Sequence, residues 1–122
     1  MTGVQHRDLA AGRWGDLSLF EQLGNVGSEV SRAIRWRSRN PERARAAFYR
    51  ALELLDLTLA DPRHSRPRLR EIARTREVVV DFFDGRNEYH STGPSLQKYF
   101  DAFVLAARRG QGLPVPRGES SW

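Results

Sequence analysis

The stretch from Asn40-Pro41 to Asp61-Pro62 constrains this chain more than any other, because it is the most apolar run and it lies near the middle. Apolar residues at 44, 48, 51, 52, 55 and 59 follow the spacing of one helix face. Leu54, Leu57 and Thr58 widen that face, so the helix should touch neighbours on more than one side. Asn40 is a strong N-cap, and Pro41 suits the first helical position, where a missing N–H costs nothing. Pro62 disfavours a helical Asp61 and ends the element.

Three more segments repeat the pattern. Asp16 serves as a candidate N-cap for a helix carrying Leu19, Phe20, Leu23, Val26, Val30, Ala33 and Ile34, which ends near Ser38-Arg39. Gly24 and Gly27 lie inside it, each costing about 1 kcal/mol of helix propensity. Close packing of a neighbour is the expected compensation. Beyond a turn at 61–67, the next helix sets Leu69, Ile72, Ala73, Val79, Val80 and Phe83 on one face and closes at Gly85. A connection over 85–94 leads to a fourth helix with Leu96, Tyr99, Phe100, Phe103 and Val104. The expected fold is therefore an all-α, four-helix up-down-up-down bundle over 16–110. A flexible arm over 1–15 precedes it, with Trp14 a candidate to fold back, and a disordered tail over 111–122 follows. Leu52, Leu55, Ile72, Val79, Val80, Phe100 and Phe103 are the expected core.

Several function classes are excluded or disfavoured. The chain has no cysteine, so disulfides and thiolate metal sites are ruled out. His6, His64 and His90 are scattered, and no Glu-x-x-His pair of a di-iron bundle occurs, so no metal or other cofactor is expected. P-loop, nucleophile-elbow and zinc signatures are absent. No apolar run approaches the roughly 20 residues that span a bilayer, and residues 1–15 lack a signal-peptide core. A cytoplasmic protein without a membrane partner is expected.

The charge points elsewhere. Of 20 basic residues, 19 are Arg and one is Lys98, with a formal net charge of +5. Arg recognises phosphate and carboxylate in a bidentate fashion, although Arg-for-Lys bias also follows from GC-rich coding. Residues 32–50 hold seven Arg against Glu42, and residues 63–76 hold six against Glu71. In an up-down bundle these form two basic poles. The first gathers Arg35, Arg37, Arg39, Arg43 and Arg86, with Trp36, Tyr89 and His90 nearby; the second gathers Arg63, Arg66, Arg68 and Arg70 with Arg108 and Arg109. Cations beside aromatic rings suit single-stranded nucleic acid, the rings stacking on bases. Nucleic acid, RNA or single-stranded DNA, is the first expected partner. An acidic protein surface in a larger assembly is the alternative, and a homo-oligomer is compatible with either. Glu29, Glu53, Asp56, Arg76 and Asp81 fall beside apolar faces and should pair across helices, Arg76 preferring Asp56 or Glu53.

Arg86-Asn87-Glu88-Tyr89-His90 resembles the Arg-polar-x-x-x-His motif of HEPN ribonucleases, although His90 comes one residue early. That resemblance implies metal-independent RNA cleavage by Arg86 and His90 at a dimer cleft. Three blocks also resemble a family of small prokaryotic proteins of unknown function. They are Glu21-Gln22-Leu23-Gly24-Asn25-Val26-Gly27-Ser28-Glu29-Val30, Ala51-Leu52-Glu53-Leu54-Leu55-Asp56-Leu57-Thr58 and Leu96-Gln97-Lys98-Tyr99-Phe100. This resemblance implies no activity, but it groups Asn87, Tyr89, Ser91 and Thr92 in one recurring loop block.

Overall fold

The computed structural model describes residues 12–109. Among them a helical segment over 12–14 precedes four long helices: α1 (Leu19–Trp36), α2 (Pro41–Leu59), α3 (Arg66–Asp84) and α4 (Gly93–Arg108). The fold is all-α, and no strand occurs among the described residues. No helix among them is long and apolar enough to cross a membrane.

Local chemistry sets the ends. Asn40 caps α2 through its side chain, with Pro41 at the first position, as its sequence implies. α1 begins differently from the expectation. Its cap is Ser18, not Asp16, because Ser18 and Glu21 form a reciprocal capping box: each side chain accepts the other's backbone N–H, at 3.1 and 2.9 Å. The helix stops at Trp36, short of Ser38, where the Trp36 carbonyl accepts both the Arg39 and Asn40 N–H groups. Gly85 does end α3, but with φ −106° and ψ −158° it is extended rather than left-handed. It must be glycine for space: a Cβ there would lie 2.9 Å from Asp81 Cα. The left-handed positions come later, at Asn87 and His90. Asn87 tolerates this, and its amide binds both the N–H and the carbonyl of Ser91 at 2.8 Å, closing the loop on itself.

α1 packs against α2 and α4, and α2 against α3. The ring closes between α3 and α4 through the Thr75 and Tyr99 hydroxyls, 2.8 Å apart. Arg37, just after α1, donates to the Phe82 carbonyl near the end of α3, so the first and third connections share one end. The core holds Leu23, Val26 and Val30 of α1, Phe48 and Leu55 of α2, Ile72 and Val79 of α3, and Phe100 and Phe103 of α4. Leu52 and Val80 are only half-buried. The buried stripe on α2 runs 44, 47/48, 51, 55, 58 and on α3 runs 72, 75, 78/79, 82, leaving Leu52 about 90° and Val80 about 135° round from the centre of its own stripe.

The same rotation corrects the internal charges. Arg76 does pair with Asp56, at 2.8 Å, but the side chains are 36% and 57% exposed. Glu29 joins Arg32 and Arg50 at 3.3 Å each, tying α1 to α2. Asp81 caps the third connection by accepting the N–H groups of Glu88 and Tyr89, and Glu53 is half-buried on α2 outside its buried stripe. Arg76→Ala should therefore cost less than about 1 kcal/mol, as for exposed pairs. Urea unfolding checks this, and a loss of several kcal/mol would return Arg76 to the interior.

Candidate nucleic-acid interface

The two poles differ in what their arginines already do. At the second, Asp61 is the buried charge of the bundle, its side chain only 4% exposed. Arg63 wraps it, with Nε 3.0 Å from Oδ1 and a terminal nitrogen 2.6 Å from Oδ2, and also donates to the Leu17 carbonyl. The Gln22 amide donates to Asp61 Oδ2 and to the Trp14 carbonyl, both at 2.8 Å. The Gln22 carbonyl is left facing His64 Nε2 at 2.8 Å, so that nitrogen carries the proton of the neutral ring. Trp14 Nε1 donates to Thr58, 3.0 Å away. Trp14 thus belongs to the packed body and not to a loose arm. The rest of the expected arm and tail, 1–11 and 110–122, lies outside the described residues.

Electrostatics follow from this packing. The Arg63 guanidinium holds the Asp61 carboxyl well below the usual range, against the opposing effect of burial. Burial pushes His64 down, with Arg63 and Arg68 adding to the effect and Asp61 opposing it. Arg63 is consequently a clamp within the fold rather than a free cation. Arg68 is half-buried, whereas Arg66, Arg70 and Arg109 are exposed.

The first pole is more open. Arg35 and Arg39 are exposed and have no ion-pair partner among the described residues. Arg43 lies over the Trp36 ring, 4.8 Å from its centroid. Arg37 is held, stacked 4.3 Å over Phe82 while it donates to that residue's carbonyl. Arg86 is exposed in the third connection. Tyr89, expected to be a stacking platform, is half-buried and packed on the core, since Asp81 anchors its backbone. His90 is exposed, left-handed and on the connection rather than on a helix.

Sequence reasoning missed a better platform. Tyr49, on α2, is 53% exposed. Arg45 lies 5.8 Å from its ring centroid and donates to its hydroxyl at 3.1 Å. The signal was present as an Arg-Tyr pair four residues apart, both outside the buried α2 stripe. Acidic groups at this end are Glu42, Asp84 and Glu88, all exposed. No cluster of side chains suited to a metal ion occurs among the described residues. Comparison with protein-family models, characterised proteins and solved structures finds no match to this chain.

Proposed function

We propose that the protein is a small binding module for single-stranded nucleic acid, engaged at the end formed by the α1–α2 and α3–α4 connections. One observation carries the reading: Arg35 and Arg39, exposed and without an ion-pair partner among the described residues, flank the start of α2, and Tyr49, an exposed ring with Arg45 beside it, follows about two turns along that helix. The arginines meet phosphates without regard to sequence, and the ring offers a face to a base. The net charge of +5 draws the polyanion in. A protein-assembly role or a HEPN-like nuclease would use the same cations differently.

Salt titration against a labelled oligonucleotide separates these. Affinity should fall linearly in log–log form, losing about 0.7 of slope per phosphate contact removed. Neutralising Arg35, Arg39 and Arg43 together should flatten that slope. Tyr49→Ala should weaken binding by about 1–3 kcal/mol and leave the slope unchanged, because stacking releases no counterions. Tyr89→Ala should instead report on stability. Cleavage that stops in His90→Ala would favour the nuclease. Absence of binding at low salt would pass the reading to protein assembly.

A further inference from the structure

We infer that the groove between α1 and α4 seats the bases of the bound single strand, an assignment that rests on the nucleic-acid reading above and extends it to a second surface. The groove has a volume of about 640 Å3 and opens to solvent. It runs from Phe20 to Arg35, about 22 Å along α1 at 1.5 Å per residue. Arg32 and Arg35 stand at one end and Arg108 at the other, with Asp101 the one carboxylate in the lining. Arg108 lies 5.6 Å over the Phe20 ring.

The two glycines of α1 divide their roles here. A Cβ on Gly27 would meet Phe100 at 3.6 Å, so Gly27 serves packing as its sequence implies. A Cβ on Gly24 would meet nothing within 4 Å. The helix accepts the propensity cost of Gly24 with no neighbour to compensate it, and the space above it belongs to the groove. A flat ring can approach the backbone there. Ser31 and Gln97 offer polar groups for base edges, while Val104 and the exposed Leu105 offer an apolar wall.

Charge selects the occupant. A second copy of the chain would bring Arg35 and Arg108 against the same two arginines, Arg32 being answered by Glu29, so self-association on this face is disfavoured. An acidic helix would answer the arginines but needs a continuous apolar ridge opposite, whereas Ser28 and Ser31 interrupt the wall. Arg35 also belongs to the α1–α2 end, so the groove continues the proposed interface. A strand leaving Tyr49 and Arg39 can pass Arg35 into the groove.

The test uses the full chain with labelled oligouridylate and oligothymidylate. Gly24→Leu fills the groove while improving helix propensity, so the variant should melt no lower than wild type. Its binding should weaken about tenfold, the worth of one stacked base. Arg108→Gln should reduce affinity and flatten the salt slope, whereas Lys98→Gln, exposed on α4 outside the groove, makes the same change in net charge with much less effect. If wild type binds and Gly24→Leu binds equally, the groove assignment fails while the nucleic-acid reading stands. If wild type does not bind at low salt, both fail. Displacement of the oligonucleotide by charge-matched polyglutamate at equal concentration would also overturn the assignment, in favour of an acidic protein partner.

Discussion

Arg63→Ala should destabilise the bundle far more than Arg39→Ala, because Arg63 clamps a buried carboxylate and Arg39 has no ion-pair partner among the described residues. The substitution leaves a carboxylate that is 4% exposed with only Gln22 and a backbone N–H as donors. Removing the partner of a buried carboxylate strands its charge. The Arg63 side chain is 45% exposed, so water entering where it stood softens the loss. Arg39→Ala should stay within about 0.5 kcal/mol, as for surface changes with no partner. Equal effects from the two would dissolve the distinction between clamp and free cation.

The same cluster sets the pH response of wild type. His64 titrates lower in the fold than its ordinary 6.5, so the unfolded chain takes up the proton first as pH falls. Stability should therefore decline as pH drops through about 6.5 and level off once folded His64 is protonated. Asp61 is also depressed, from an ordinary 3.8, so its contribution is full above about pH 4 and is lost as acid protonates it. Both limbs slope the same way. In Arg63→Ala the acid limb should shrink, because its upper edge is set by the unfolded carboxyl and the principal cause of the Asp61 depression is gone. Chemical unfolding from pH 8 to pH 3 reads both; a profile rising towards acid would contradict the arrangement.

Leu55→Ala should cost about 2–5 kcal/mol, the range for emptying a leucine site in a closed core. Leu55 is fully buried on α2, which packs against both α1 and α3. Leu52→Ala, half-buried on the flank of the same helix, should cost less because the site can collapse towards solvent. A Leu52 effect larger than that of Leu55 would mean the α2 stripe is rotated from its place here.

These residues also mark what the sequence could and could not disclose. Leu55, Asn40 and Pro41 act through period and capping, both local, and both are read directly from the chain. The position of Arg76 needed the centre of the α3 stripe to within one residue. Periodicity put it between Ala73 and Val80, whereas the buried stripe passes through Thr75 and Val79. The Trp14–Gln22–Asp61–His64 cluster joins three distant places in the chain, and Gln22 and Asp61 read as surface or punctuation when taken alone. Which tyrosine is exposed was hidden for a similar reason. Asp81 draws the Tyr89 backbone against α3, leaving Tyr49 as the open ring.

The arginines divide between those that hold the fold and those proposed to meet a ligand. Arg63→Gln and the paired Arg35→Gln, Arg39→Gln variant can be compared by thermal unfolding and by oligonucleotide affinity at two salt concentrations. Arg63→Gln should melt well below wild type yet, while folded, bind with an unchanged salt slope. The paired variant should melt with wild type and bind more weakly, its slope smaller by about 1.4 for two lost contacts. The reverse pattern, with weakened binding in folded Arg63→Gln and wild-type affinity in the paired variant, would contradict the account.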